Sequence, residues 1–374
     1  MAVIRDVMPA FELFQPANVN DALTLLERHG SNAWILAGGL DTFDWLKDRS
    51  KRTNVVIDLS QMSELRGIKE MDGGVEIGAL TTLTEVVRHP VIREKFGLLM
   101  EAAELVASPQ IRNQGTLGGN VSQDTRCWYY RSGWTCYRAG GNICYADTPT
   151  AINREHAILQ ADRCVAVSPS DTAPALIALD AQMVIRSRSG ERVVDAEQYF
   201  VGPAIEITRM TVLRPGELLT AIRIPATWAG AQFYFEKVRD RQVWDFPLVN
   251  VASAMKASGG QIQQLRLAVG AVAATPLRLT AVETAVADRK VLELDYVDRS
   301  GQRTERRRVE PYGLAGSQDH WYLMAWCRLR GGGRSFRLDR MQGARVTDER
   351  APERELHEVA GEIASFARET RLEG

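Results

Sequence analysis

Two glycine-rich stretches have the residue types to cradle phosphate: Ile35-Leu36-Ala37-Gly38-Gly39-Leu40-Asp41-Thr42 and Gly115-Thr116-Leu117-Gly118-Gly119-Asn120. Adjacent glycines carry no Cβ, so backbone N–H groups can turn inward and approach a pyrophosphate closely. Neither stretch matches the dinucleotide pattern GxGxxG or the P-loop pattern GxxxxGK, and each taken alone is better read as a structural turn. A second chemistry lies in the cysteines. Cys127, Cys136, Cys144 and Cys164 share one segment with the spacing C-x8-C-x7-C-x19-C, while Cys327, the fifth, stands alone. That spacing is neither the paired CxxC of a zinc ribbon nor a ferredoxin run. Four thiolates can bind Zn²⁺ or an iron–sulfur cluster, so the spacing predicts a metal and leaves its identity open.

The elements that must position these groups follow from apolar periodicity. A strand, FELFQP, leads to a helix capped by Asn18 or Asn20, with Ala22, Leu23 and Leu26 on one face and an end at Gly30. The apolar run Trp34-Ile35-Leu36-Ala37 breaks into Gly38-Gly39, which places the first glycine pair at the end of a strand. Strand-like runs at 54–60 and 74–80 alternate with helix-like segments at 82–89 and 92–106, the pattern of a mixed α+β domain. The cysteine segment, 127–164, is rich in Gly, Trp and Tyr and has no sustained period. It predicts a long irregular insertion ordered by something other than a core, with His156, Trp128 and Trp134 read as packing rather than as ligands. After it, ALIALDAQMVIRS, LLTAIRIP and LRLAVGAVAA resume the pattern.

Length and charge bound the function. The chain has 374 residues, enough for two or three domains. Its 46 Lys+Arg against 47 Asp+Glu leave no global basic field for wrapping DNA or lying on an anionic membrane. No run approaches the roughly 18 apolar residues of a membrane span, and MAVIRDVMPAFELF lacks the apolar core of a secretory signal. These features predict a cytoplasmic protein without a membrane role, periplasmic only if a partner carries it there.

The segments ILAGGLDTFDWLKDR, IGALTTLTEVVRHP, ASPQIRNQGTLGGNVSQD, PSDTAPALIALDA and GELLTAIRIP, in this order, resemble the FAD-binding medium subunit of molybdenum hydroxylases, the family of the xanthine dehydrogenase and carbon monoxide dehydrogenase flavoproteins. The similarity runs from about Phe11 to about Leu279. It implies an α+β, two-subdomain PCMH-type FAD-binding fold over 1–175, with a C-terminal α+β subdomain over 176–280 that is short of its last helices. It also implies that Ile35 to Thr42 and Thr116 to Asn120 hold the FAD pyrophosphate through backbone N–H groups. Asp171 would face the adenosine end, and Val106, Leu218 and Lys237 would make further FAD contacts. Read without the resemblance, Asp171 is a helix N-cap and Lys237 a solvated surface lysine. The first loop has Leu40 where many relatives have Thr, so any hydroxyl contact there is lost. The cysteine string resembles an insertion found in the subgroup of 4-hydroxybenzoyl-CoA reductase and periplasmic aldehyde oxidoreductase flavoproteins, which implies that the four cysteines ligate a [4Fe–4S] cluster. The partners implied are a molybdopterin-containing large subunit and a [2Fe–2S] small subunit, with electrons passing from those clusters through this chain's FAD to an external acceptor. No side chain here is expected to act as a general acid or base.

Beyond residue 280 the composition changes. Lysine disappears after Lys290, and between Arg299 and Arg340 there are ten Arg against four acidic residues. The strings RKVLELDYVDRSGQRTERRRVEPYGL and HWYLMAWCRLRGGGRSFRLDRM resemble the WYL domain of bacterial transcriptional regulators. The resemblance implies a small Sm-like or SH3-like β-barrel over 281–350, followed by a terminal helix over 351–374 with Leu356, Val359, Ile363 and Phe366 on one face. Arg307, Arg328, Arg334, Arg337 and Arg340 with Tyr296 and Tyr322 form a candidate site for nucleotide or single-stranded nucleic acid. The alternative function is accordingly a redox- or ligand-sensing regulator, and the bland reading of the arginines is a solvated face.

Overall fold

The computed structural model describes residues 8–258, 261–288, 290–316, 321–337, 340–352, 354 and 359. They gather into two compact units, Met1–Met255 with Arg266–Arg278, and Lys256–Leu265 with Leu279–Gly374.

The first unit opens with a parallel sheet of strands β1 (Glu12–Phe14), β2 (Ala33–Leu36) and β3 (Val55–Asp58), in the order β1-β3-β2. The central strand β3 is buried along its whole length. Helix Val19–His29 links β1 to β2. Asn18 caps it by accepting the Asp21 N–H at 3.0 Å, and Gly30, at φ +52°, ends it in a conformation that favours glycine. Its Val19, Ala22, Leu23 and Leu26 pack on Val55 and Ile57.

Strands β4 (Ile68–Met71), β5 (Gly74–Gly78), β6 (Gln182–Ser187), β7 (Gly190–Asp195) and β8 (Leu218–Pro225) form an antiparallel sheet in the order β4-β5-β8-β6-β7. Helices at 83–88, 97–104, 117–122 and 172–178 share its core with Ile77, Met183 and Ile222. The helix expected over 92–106 is two helices, Pro90–Lys95 and Gly97–Glu104. Phe96 between them leaves the helical region at φ −134° and ψ 45°, and its side chain is buried in the core. Strand β9 (Gln232–Val238) pairs with β10 (Val249–Ser258) so that Lys237 lies opposite Asn250, and β11 (Gln261–Gly270) pairs with β12 (Leu277–Arg278); the parts of β10 and β11 within Lys256–Leu265 belong to the second unit.

The cysteine segment has little regular structure beyond a helical turn at Trp128–Arg131. Side chains order it instead. Tyr130 and Cys136 pack against Trp45, with Trp34, Cys127 and Tyr145 around them, while Trp134 meets Tyr129 and Tyr145 edge-on. Trp128, expected as packing, is 54% exposed. His156 is buried, and neither ring nitrogen has a partner among the described residues, as fits a packed neutral imidazole.

The second unit has a helix, Thr280–Ala287, and strands β13 (Lys290–Val297), β14 (Arg303–Gly316), β15 (Trp321–Cys327), β16 (Gly332–Arg337) and β17 (Met341–Arg350). They form one antiparallel sheet in the order β16-β15-β14-β13-β17 around Leu294, Val309, Leu323 and Phe336. This five-stranded antiparallel sheet stands where the small Sm-like or SH3-like β module was expected. The expected terminal helix over 351–374 lies outside the described residues, apart from Val359 and the segment at its start.

Candidate functional site

A cavity of about 1020 Å³ opens in the first unit, at the upper end of the range for small-molecule and cofactor sites. Of the residues singled out in the sequence, Ile35, Ala37, Gly38, Gly39, Leu40, Asp41, Thr42, Val106, Thr116, Gly118, Gly119, Asn120, Asp171 and Leu218 line it. Leu36, Leu117 and Lys237 do not. The cavity therefore brings together two glycine stretches that are far apart in sequence.

The two stretches differ in what their backbones offer. After β2, the N–H groups of Gly38, Gly39, Leu40 and Asp41 have no acceptor among the described residues, and Gly39 holds φ +81°. At Gly38 a Cβ would stand 2.4 Å from the Gln114 carbonyl oxygen, so the loop closes on the second stretch only because this residue has no side chain. In the second stretch the amides of 117–120 are already committed. Leu117 N–H donates to Thr81 O, Gly118 N–H to Ala79 O, Gly119 N–H to Thr116 Oγ1 and Asn120 N–H to Thr116 O. The expectation that both stretches present N–H donors is thus corrected for 117–120, whose amides knit the helix start to the 79–81 turn. What this stretch does offer is the Asn120 side chain. Ser170 and Thr172 hydroxyls donate to its Oδ1 at 2.6 and 2.7 Å, which orients the amide and leaves Nδ2 unspent.

Asp171 and Lys237 prove to be partners. Lys237 Nζ donates to Asp171 Oδ2 at 2.7 Å, to Asp245 O at 2.8 Å and to Leu105 O at 3.0 Å, which uses its three donors. Lys237 is therefore neither a solvated lysine nor part of the cavity wall. Asp171 makes no side-chain cap; Ser170 Oγ accepts the Ala173 N–H instead. Asn250 Nδ2 donates to Asp171 Oδ1 at 3.1 Å. Burial raises Asp171 to about 6 against the opposing pull of Lys237, and burial lowers Lys237.

A band of charge, of which the sequence singled out only Asp41, joins the cavity to the cysteine segment. Arg126 and Arg131 both donate to Asp41 Oδ1, at 2.7 and 3.2 Å, and Lys51 and Arg138 pair with Asp124 at 2.9 and 2.5 Å. Burial alone would raise Asp124, but Arg138 and Lys51 hold its carboxyl below the usual range. The one sequence signal was position: Asp124 and Arg126 directly precede the first cysteine of the segment.

Burial pushes Cys127 up to about 11, with added repulsion from Cys164 and Cys136, and burial raises Cys164, with Cys144 and Cys136 adding to it. Among the described residues no three His, Cys, Asp or Glu side chains converge on a point that could hold a single metal ion. A zinc site, with Zn–S bonds of about 2.3 Å, requires such convergence. A cluster whose metals each take one thiolate spreads its ligands more widely. Cys327 lies in the second unit, buried, with Arg307 Nε donating to its Sγ at 3.2 Å.

The family profile for the FAD binding domain in molybdopterin dehydrogenase matches residues 9–227. The chain belongs to this family. A second profile, the WYL domain, matches 278–346. Among relatives of this FAD-binding family, the carbon monoxide dehydrogenase medium chain of Hydrogenophaga pseudoflava is 31% identical over 73% of this chain and 78% of its own. The aldehyde oxidoreductase FAD-binding subunit PaoB of Escherichia coli is 32% identical over 74% of this chain and 86% of its own. A solved structure of the Hydrogenophaga pseudoflava carbon monoxide dehydrogenase superposes with a TM-score of 0.59 at 31% identity, over 75% of this chain and 81% of that one. The α+β FAD-binding architecture is thus shared with this carbon monoxide dehydrogenase. No helix among the described residues is long and apolar enough to cross a membrane.

Proposed function

We propose that this chain is the FAD-carrying electron-transfer subunit of a molybdenum hydroxylase complex, working with a molybdopterin-containing large subunit and a [2Fe–2S] small subunit. The observation that carries the reading is the loop from Gly38 to Asp41, with unspent N–H groups lining a cavity of about 1020 Å³ in a chain of this family. Oriented amides in a glycine turn favour a diphosphate. FAD supplies the ability to take electrons singly and release them as a pair. The chain's own residues hold and orient it: Gly38 to Asp41 through their amides, Asn120 through its free Nδ2, and Asp171 as a carboxylate on the cavity wall.

The cysteine loop is read as the seat of a [4Fe–4S] cluster. The irregular backbone of 127–164 and the four cysteines it carries support this, with Cys127, Cys136, Cys144 and Cys164 as ligands. For the regulatory alternative, two of its five candidate arginines serve the second unit's own fold: Arg328 is paired with Glu310 and Glu349, and Arg307 donates to Cys327 Sγ and lies over the Phe336 ring. The test is the absorption spectrum and partner content of gently purified protein. Flavin bands, a broad iron–sulfur shoulder, and co-purifying molybdenum with [2Fe–2S] protein are expected; a colourless chain that takes up no added FAD overturns the reading.

A further inference from the structure

Trp244 and Ala107 are hydrogen-bonded to one another on the cavity wall, and both carry a backbone conformation that their side chains disfavour. Trp244 holds φ +74° and Ala107 φ +40°. A bulky residue at positive φ is an outlier that persists only where its surroundings over-determine it. Here they do. The Trp244 N–H donates to Ala107 O at 2.8 Å. The next carbonyl, Asp245 O, accepts Lys237 Nζ at 2.8 Å, from the same ammonium that holds Asp171. The Asp245 carboxylate accepts the Arg241 backbone N–H at 2.6 Å and Arg241 Nε at 2.8 Å, which closes the 241–245 segment on itself.

The ring that this backbone presents is unspent. Trp244 lines the cavity yet is 59% exposed, and among the described residues its indole pairs with no other ring or cation and donates to no acceptor. Phe246 also lines the cavity, but the Arg126 guanidinium already covers its face, 4.0 Å from the centroid. A lone exposed apolar residue on a surface needs no explanation. One anchored at positive φ on the wall of a cofactor cavity does, because glycine at 244 would relieve the strain and what the strained backbone keeps is the side chain.

We propose that Trp244 is a ring platform of the cavity, whose indole stacks on a flat heterocycle of FAD and sets its affinity. The inference rests on the reading that the cavity holds FAD. A diphosphate on the Gly38–Asp41 amides leaves the two heterocycles of FAD to find flat apolar faces, and an indole offers a large one.

The experiment uses the full chain freed of flavin. It measures FAD and ADP dissociation constants by equilibrium dialysis, beside the fluorescence of bound flavin and the melting temperature of the flavin-free chain. Trp244→Leu is expected to bind FAD about tenfold more weakly, within the range for a lost base–aromatic stack. Trp244→Phe keeps a flat ring and should stay within about threefold of wild type. Trp244→Gly should lose affinity as Leu does while melting no lower than wild type, because glycine is at home at φ +74°. A merely structural tryptophan would lower the melt instead. Trp128→Leu is the comparison: Trp128 lines the same cavity at 54% exposure without a positive φ, and its loss should leave affinity unchanged.

Two further readouts name the ring. Indole quenches an isoalloxazine in contact with it and phenyl does not, so brighter bound flavin in Trp244→Phe with unchanged ADP affinity assigns the isoalloxazine. A loss of ADP affinity in Trp244→Leu equal to the loss for FAD assigns the adenine. Wild-type and Trp244→Leu chains that bind FAD equally overturn the platform and leave the cofactor reading intact, as does a loss of affinity in Trp128→Leu alone. A wild-type chain that takes up no FAD overturns both.

Discussion

Lys237 Nζ lies 2.7 Å from Asp171 Oδ2, and the two side chains are 1% and 4% exposed. They come from β9 and from the start of helix Thr172–Ala178, and the lysine's other two donors reach Leu105 O and Asp245 O. The pair thus fixes a cavity-wall carboxylate and at the same time ties the β9–β10 segment to the end of helix Gly97–Glu104. A buried pair of this kind is costly to break from one side, because the remaining charge keeps its desolvation penalty.

Lys237→Met should therefore destabilise the chain by about 3–5 kcal/mol, and the double variant Lys237→Met with Asp171→Asn should recover part of that loss. The pH dependence identifies the cause. The folded-state value of Asp171 is already raised to about 6 by burial, and removing the lysine raises it further. A carboxyl that binds its proton more tightly when folded makes stability fall as pH rises. The deficit of Lys237→Met relative to wild type should grow above about pH 6 and level off below it. Denaturant melts from pH 5 to 8 check this; a deficit constant across that range would mean the lysine acts by packing alone.

Gly38 and Gly119 both line the cavity but should respond differently to substitution. At Gly38 a Cβ meets the Gln114 carbonyl oxygen at 2.4 Å, a backbone contact that cannot rotate away. Gly38→Ala should lower the melting temperature markedly. At Gly119 the Cβ meets Thr116 Oγ1 at 2.8 Å, a side chain that can turn aside with loss of its cap on Gly119 N–H. Gly119→Val should cost about 1 kcal/mol for the lost cap and deplete FAD by filling cavity space. Flavin content per folded chain, measured beside the melt, separates the two effects.

Exchange of Cys127, Cys136, Cys144 or Cys164 for Ser, one at a time, should lower iron and acid-labile sulfide in anaerobically purified protein. Cys327→Ser should leave both unchanged, since Cys327 sits in the core of the other unit beside Arg307. Stoichiometric zinc with no labile sulfide would refute the cluster.

Local signals in the sequence were legible where the cause of structure is local. The Asn18 cap, the strand that ends at Gly38-Gly39 and the alternation in β5 follow from residue type and spacing. The break at Phe96 was not, because apolar period continues through it and only the demand of the core for that ring interrupts the helix. The same limit applies to the site. Glycine pairs mark a place where backbone can come close, yet whether an amide is free depends on what lies opposite. At 117–118 the carbonyls of Thr81 and Ala79 lie opposite; at 38–41 nothing among the described residues does. Lys237 and Arg126 draw their roles from partners 66 and 85 residues away, at separations no periodicity reports.

Glu310 in the second unit gives the last prediction. Its carboxylate is buried, with Oε1 accepting from Arg328 Nε at 2.8 Å and Oε2 from Arg354 Nε at 2.9 Å. Arg354 also lies over the Trp326 ring, its guanidinium carbon 4.0 Å from the centroid. Tyr312 donates its hydroxyl proton to Pro352 O at 3.1 Å, so Glu310, Trp326 and Tyr312 together hold the chain that follows β17 against the sheet. Glu310→Gln keeps the shape and removes the charge both arginines share. It should destabilise this unit by about 3 kcal/mol, the cost of leaving buried-side cations without their counter-charge, and should raise hydrogen exchange in β14 and β15 while leaving FAD content unchanged. The same variant tests the nucleic-acid proposal for this unit. If the arginine face takes a polyanion, removing the Glu310 charge from beside Arg328 and Arg354 should strengthen salt-sensitive binding of a labelled single-stranded oligonucleotide to the full chain, and Arg337→Ala with Arg340→Ala should weaken it. If no binding is detected at low salt in wild type or in Glu310→Gln, the arginines of this unit serve its fold and the nucleic-acid proposal falls.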